Sequence, residues 1–359
     1  MRIIDMHCDT IYEILEAKKC GETISLRDNS LMVNLKKMKS SGYSVQNFAL
    51  YIEQEEGVSS FQKVQDLLKV FKEEMFVHSD MISQVTTAQG IVENERAGKL
   101  SALLTVEGGE ACEGSLEKLH YLYEQGVRMM TLTWNFPNEI GYSNFRSERE
   151  WNIANVEKGL TEFGIQLVEE MEHLGMIVDV SHLSDAGFYD VVKYTKKPFV
   201  ASHSNARSVC PHVRNLTDDM IQKIAERGGV IGINYHSKFL MEEYNLENVV
   251  GQKPGNIHRV VKQNVKEDVF ERNTVYLIEN QQKVYEWIVK HTRHITNIGG
   301  MECLGLGSDF DGIPQYHGMP RMDDMERLAD VLQRNGFHES EIEKIFYQNV
   351  FRLYRDVLG

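Results

Sequence analysis

The chain has 359 residues, 42% of them hydrophobic and 26% charged, and its 39 basic residues against 53 acidic ones leave a formal net charge of -14. That composition is ordinary for a folded globular protein, and the negative balance excludes nucleic acid and anionic membrane surfaces as general partners. No stretch approaches the roughly 20 consecutive apolar residues of a membrane span, and Asp5 and His7 interrupt the apolar start that a secretory signal would need, so no membrane partner is expected.

The first apolar run, residues 2–9, ends in His7-Cys8-Asp9. In an extended strand residues two apart face the same way, so an imidazole nitrogen and a carboxylate oxygen come side by side, and both are good donors to zinc and similar ions. Alone such a pair carries little weight. Cys8 faces the other way and reads as a buried apolar filler. With Cys20, Cys112, Cys210 and Cys303 the chain has five cysteines, scattered, odd in number and free of Cys-x-x-Cys spacing, which points to reduced thiols in a cytoplasmic protein.

Further short apolar runs follow at residues 44–52, 100–108, 128–135, 176–182, 199–204, 230–235 and 304–309. Most are continuous rather than alternating, as parallel strands covered on both faces are. Amphipathic segments lie between them. Residues 159–175 place Phe163, Leu167 and Met171 on one stripe and end at a glycine; residues 217–227 open on Thr217 and two aspartates and run into Gly228-Gly229, a capped helix in each case. Eight strands alternating with helices predict a (β/α)8 TIM barrel, an α/β fold, formed as one domain over residues 1–359. A doubly wound open sheet is the alternative, but no Gly-x-Gly-x-x-Gly follows the first strand. Residues 237–301 are too long for a bare loop. They carry a charged helical pattern around residues 272–294 and read as an insertion between strands 7 and 8 together with the barrel helix there.

In such a barrel the carboxyl ends of all strands meet on one rim, where catalytic groups sit. Predicted strand ends carry His7 and Asp9, Glu107, His182, His203 and Asp309. Singly, each has a plain explanation: a hydrogen-bonded histidine, a turn cap, an Asx turn. Together they do not, because buried carboxylates gathered without a cation would repel and lose solvation. Three histidines and three carboxylates exceed the needs of one four-coordinate zinc. They suggest two metals with Glu107 between them, a hydroxide held there to attack an acyl carbon, and Asp309 moving the proton. His78, His120, His173, His258 and His291 read as solvated. His212, His236 and His294 fall nearer to strand ends, and His236 is a candidate for the rim. Ser181 and Ser202 precede histidines and are expected to face away. No Gly-x-Ser-x-Gly elbow supports serine catalysis.

With these residues assembled, the chain resembles the membrane (renal) dipeptidase family of the amidohydrolase superfamily over nearly its whole length. The resemblance rests on Asp5-Met-His-Cys-Asp9, Val106-Glu-Gly-Gly109, Gly126-Val-Arg-Met-Met-Thr-Leu-Thr133, Gly159-Leu-Thr-x-Phe-Gly164, Asp179-Val-Ser-His-Leu-Ser184, the Ser202–Cys210 segment SHSNARSVC, Arg214-Asn215 and Gly307-Ser-Asp-Phe-Asp-Gly312. It implies two Zn2+ ions per subunit, one held by His7 and Asp9, the other by His182 and His203, with Glu107 bridging and Asp309 handling protons. It implies that Arg214 clamps the substrate carboxylate, a role that suits a guanidinium, that Asn234 touches substrate, and that the protein is a homodimer. Two positions depart from the family pattern. Trp134 stands where many members carry a substrate-contacting histidine, and Glu110 follows the Glu-Gly-Gly motif where histidine is common. Tryptophan cannot accept a proton or act as an imidazolium, so either that function is met elsewhere or Trp134 shapes a different substrate pocket.

The expected function is hydrolysis of a small-molecule dipeptide substrate, D-residues at the C-terminal position included. The alternatives are a binuclear amidohydrolase acting on another small amide, lactam or N-acyl amino acid, and a non-catalytic barrel that binds a ligand.

Overall fold

A computed structural model describes residues 1–145, 147, 150–242, 267–314 and 319–359, with the backbone alone of 267–282. Its centre is a sheet of nine parallel strands. These are β1 Ile3–Asp5, β2 Tyr43–Tyr51, β3 Ile82–Val85, β4 Leu100–Glu107, β5 Val127–Thr131, β6 Ile177–Asp179, β7 Val200–Ala201, β8 Val230–Ile233 and β9 Leu304–Leu306. β2 pairs with β1 on one side and with β4 on the other, in register from Val45↔Ser101 to Tyr51↔Glu107. β1 pairs with β9 at Asp5↔Leu306. With β4 through β9 joined in order, the eight strands other than β3 close into the predicted (β/α)8 barrel.

β3 is the correction to the expected strand count. Its Ile-Ser-Gln-Val has too few apolar residues to stand out in the sequence, and it lies outside the barrel. It pairs with the first half of β4, Leu100 to Leu103, while β5 takes the second half.

The barrel interior is apolar at the bottom and polar at the top. Ile4, Met6, Val45, Leu103, Met129, Ile177, Val200 and Val230 fill the lower part. The C-terminal helix Asn349–Leu358 closes it from below with Val350, Leu353, Tyr354 and Val357, and the Tyr354 hydroxyl donates to Asn47 at 2.7 Å. Burial of this kind stabilises by roughly 25 cal/mol per Å² of apolar surface. A second, larger apolar cluster binds the surrounding helices to the outer strand faces. The predicted helices appear as Glu162–Leu174, capped by Thr161 and stopped by Gly175 at φ 76°, and Asp218–Glu226, capped by Thr217. The segment between the last two strands includes Ser237–Leu240 and the 33-residue helix Glu267–Gly299; His258 lies outside the described residues. Among the described residues, no helix is long and apolar enough to cross a membrane.

Glycines let the last strands pack tightly under the rim. A Cβ on Gly307, or on Gly232, would collide with the carbonyl oxygen of Ser202. Backbone cannot swing aside as a side-chain end can, so Gly307→Ala is expected to lose about 3 kcal/mol of stability, the upper part of the usual overpacking range. A thermal melt reads this directly, and an unchanged midpoint would refute the collision.

Candidate metal centre

The first pair, His7 and Asp9, does not sit on a regular strand as expected. β1 stops at Asp5. Cys8 makes an isolated bridge to Phe310 beyond β9, and Asp9 is the residue before the helix Thr10–Lys19. The chain turns inward there, and His7 Nε2 comes 3.3 Å from Asp9 Oδ2 all the same. Cys8 is fully buried in the outer apolar cluster, the filler it was read as. Glu107 is the last residue of β4, and His203 follows β7. His182 and Asp309 occupy turns after β6 and β9 with φ of 69° and 64°. Left-handed backbone at a non-glycine residue is a strain that recurs at functional sites.

These turns bring all six side chains together at 1–8% exposure. Glu107 turns one oxygen to each side. Its Oε2 lies 3.4 Å from His7 Nε2, while its Oε1 lies 2.9 Å from His182 Nε2 and 3.4 Å from His203 Nε2. Two groups of metal-type donors result, His7–Asp9–Glu107 and Glu107–His182–His203, with Glu107 in both. Asp309 reaches His7 from across the centre at 3.8 Å, and a third group, His7–His203–Asp309, includes it.

The donor set fits cations because the histidine tautomers are fixed from outside. Ser202 Oγ donates to Asp179 Oδ2, an acceptor-only carboxylate oxygen, so it must accept from His203 Nδ1, 2.7 Å away. Asn135 Oδ1 accepts from His182 Nδ1 at 2.9 Å. Both rings therefore turn bare Nε2 lone pairs inward, where the two nitrogens stand 3.0 Å apart and face Glu107. Lone pairs aimed at lone pairs in a buried space need a cation between them. On the other side, both ring nitrogens of His7 and Oδ1 of Asp9 are buried without a hydrogen-bond partner among the described residues.

The electrostatics agree. Burial alone would raise the Glu107 carboxyl, but the charge of His7 and the close approach of the three imidazoles hold it well below the usual carboxylate range. His7 is lowered by burial and then raised well above an ordinary imidazole by Glu107 and Asp9. Burial pushes Asp309 up.

Two buried aspartates brace the site in the same manner. Asp179, ending β6, accepts Thr131 Oγ1 at 2.6 Å and the backbone N–H groups of Ser181 and Ser202 at 3.0 and 2.9 Å. Asp5, ending β1, accepts Ser308 N–H at 2.9 Å and the Ser308 hydroxyl. Each holds the serine just before a site residue, His203 in one case and Asp309 in the other. Ser202, expected to face away from the site, braces it from behind through the outer nitrogen of His203. Replacing Asp179 with Asn removes an acceptor and frees the Ser202–His203 contact. Such outer partners usually contribute 10- to 100-fold in metal affinity, and a drop of about that size is expected on titrating the apo variant with zinc. Unchanged affinity would show that the relay does not orient His203.

The remaining predicted residues divide. Arg214 is 4% exposed, with Nη1 donating to Ser204 Oγ at 3.3 Å and Nη2 to the His203 carbonyl at 3.2 Å. Its Nε has no partner among the described residues, and burial lowers its pKa to about 10. The loop that presents it is pinned by the bidentate Arg207–Asp185 pair at 2.7 and 2.8 Å. Asn234 is fully buried, and its amide donates to Asp309 Oδ2 at 2.9 Å and to the His203 carbonyl at 3.2 Å; it holds one oxygen of Asp309 and leaves the other toward His7. Trp134 lies half-buried on the rim, its ring 6.4 Å from that of His182. Glu110 is buried behind Glu107, accepts from Asn138 Nδ2 at 2.9 Å, and is raised to about 7 by burial.

Among the histidines read as solvated, His120 and His173 are exposed. His78 and His291 are not. His78 is buried against Ser25 and Glu74, and His291 Nδ1 accepts the Ala206 N–H while its Nε2 contacts the Leu240 carbonyl. His291 lies on a helix, and its partners, Ala206 and Leu240, come from segments distant in sequence, which no local pattern reveals. His294 pairs with Asp218, away from the site. His212 and His236 flank Phe239 beside Arg214.

A family model described as membrane dipeptidase, peptidase family M19, matches residues 1–358. A protein of Schizosaccharomyces pombe named an uncharacterized dipeptidase is 31% identical over 262 residues, which is 72% of this chain but 53% of that protein, so the match spans about half of that relative's length. A Klebsiella pneumoniae protein described as an uncharacterized protein in the pqqA 5′ region is 27% identical over 79% of this chain and 92% of its own length. Among solved structures, a metallopeptidase from Rhodobacter sphaeroides liganded with a phosphinate mimic of the dipeptide L-Ala-D-Ala is similar in fold, with a TM-score of 0.80, 23% identity and coverage of 99% of both chains. A dipeptidase described as a metallopeptidase of family M19 gives 0.80 and 24% over 100% of this chain and 99% of its own.

Proposed function

This chain belongs to the membrane dipeptidase family, peptidase family M19, and we propose that it is a two-zinc dipeptidase, cleaving the peptide bond of dipeptides that have a free C-terminal carboxylate. The observation that carries the reading is the split of Glu107, one oxygen to His7 and the other to His182 and His203, with bare nitrogen lone pairs turned toward it. His7, Asp9 and Glu107 would hold one ion and Glu107, His182 and His203 the other. Bound there, the ions would supply polarisation of the scissile carbonyl and an activated water nucleophile. Nitrogen and oxygen donors in groups of three suit zinc.

The chain's own residues do the rest. Arg214, buried and with Nε unpartnered among the described residues, grips the substrate carboxylate and sets the distance to the scissile bond. Asn234 holds Asp309 by one oxygen. The other oxygen takes a proton from the attacking water and returns it to the departing amine, general acid–base work that contributes typically 10²–10⁴-fold. A grip on the carboxylate does not depend on the configuration of the α-carbon, so a D-residue at the C-terminal position is accepted on this reading, and the relative from Rhodobacter sphaeroides carries a mimic of such a dipeptide. The five cysteines are all free, which supports the cytoplasm as the compartment.

The test is a panel of dipeptides and N-acyl amino acids with protein stripped of metal and reloaded with zinc. Dipeptide hydrolysis by the reloaded protein and its loss on stripping are expected. Full turnover by stripped protein, or deacylation with no dipeptide cleaved, would overturn the proposal.

A further inference from the structure

An aromatic shelf borders the metal centre above the ends of β2 and β5. Tyr51 ends β2 directly in register with Glu107, which is in register with Thr131 of β5, three residues before Trp134. The Tyr51 and Trp134 rings meet edge to face with centroids 5.1 Å apart, and Trp134 continues to Phe136 at 5.4 Å. Tyr51 and Trp134 are half-buried, and Phe136 is 43% exposed. Three linked rings, one of them 6.4 Å from the His182 ring and another exposed, leave apolar surface in water at the mouth of the site.

The barrel order gives the shelf a direction. β2, which ends at Tyr51, stands four strands round the closed barrel from β7 whichever way the strands are followed. The opposite arc, after β7, presents Arg214. A dipeptide has an ammonium at one end and a carboxylate at the other. With its carboxylate on Arg214, its ammonium and N-terminal residue lie toward Asp9 and Tyr51.

We propose that Tyr51, Trp134 and Phe136 form the subsite for the side chain of the N-terminal residue, and that the enzyme prefers dipeptides that begin with an aromatic or large apolar residue. This rests on the dipeptidase reading above. The shelf takes the side chain against its rings as substrate binds and strips water from both surfaces.

The test compares kcat/KM of the zinc-loaded protein for Gly-Ala, Leu-Ala and Phe-Ala with that for Ala-Gly, Ala-Leu and Ala-Phe. The N-terminal series is expected to rise by about tenfold or more from Gly to Phe, as extra buried apolar groups in a pocket commonly give, and the C-terminal series to rise less. Phe136→Ala, at an exposed position that folding does not depend on, and Trp134→Leu are each expected to shrink the Phe-Ala to Gly-Ala ratio. A flat N-terminal series with dipeptides still hydrolysed overturns the subsite and leaves the dipeptidase reading standing. A preference confined to the C-terminal series, or a ratio untouched by both variants, also overturns it. No hydrolysis of any dipeptide overturns the dipeptidase reading, and the subsite with it.

Discussion

Glu107→Gln is expected to lower kcat/KM for any dipeptide by at least about 10³-fold, or about 4 kcal/mol in transition-state stabilisation, and to leave the protein unable to hold two zinc ions. The reason is geometric. One carboxylate supplies Oε2 to the side of His7 and Asp9 and Oε1 to the side of His182 and His203. A glutamine keeps the size but replaces one oxygen with an amide nitrogen that has no lone pair to give, so whichever way it turns, one group loses a donor. The negative charge that offsets two divalent ions in a buried space is lost as well. Metal analysis after dialysis, set beside a melt of the apo protein, separates this from misfolding. The apo variant should melt close to the apo parent, because Glu107 ends its strand in an ordinary conformation. Two tightly held zinc ions and near-normal turnover would remove Glu107 from the bridging role and the two-ion reading with it.

Much of this site was legible in the sequence because barrel topology converts chain position into spatial position. His7, Glu107, His182, His203 and Asp309 each follow an apolar run, and parallel strands that close on themselves put every such end on one rim. The strand ladder itself was less legible. β7 has two residues, Val200–Ala201, too few for any periodicity, and β3 hides in a polar tetrapeptide. The bracing residues were missed for a different reason. Asp5 and Asp179 sit inside motifs that were read for their metal donors, and nothing in Val-Ala-Ser-His, residues 200–203, says that Ser202 turns back to the ring nitrogen of His203 one residue later. That contact exists because Asp179, on a neighbouring strand, accepts the Ser202 O–H and leaves the hydroxyl lone pairs to the ring. It is a product of the fold, with no local signature. Asn135 and its bond to His182 are of the same kind.

Arg214→Ala is expected to cost about 10²–10³-fold in kcat/KM, in line with the 2–5 kcal/mol lost when one partner of a buried charge pair is removed. The loss should fall mainly on KM if the clamp binds ground state and transition state alike, and on kcat as well if it also sets the position of the scissile bond. The structure favours a share in both. Arg214 has one guanidinium nitrogen on Ser204 and another on the backbone carbonyl of His203, so a carboxylate bound to it is tied, through one residue, to the metal centre. Arg214→Lys keeps the charge but not the planar fork, and should recover only part of the loss. The decisive comparison uses dipeptide amides, which lack the carboxylate. For the parent they should be far poorer substrates than the free acids; for Arg214→Ala the two should be nearly alike. If the variant still favours free acids as strongly as the parent does, some other group binds the carboxylate. The 2–5 kcal/mol then belongs to packing around Phe239 and His212, which line the loop side of the same arginine.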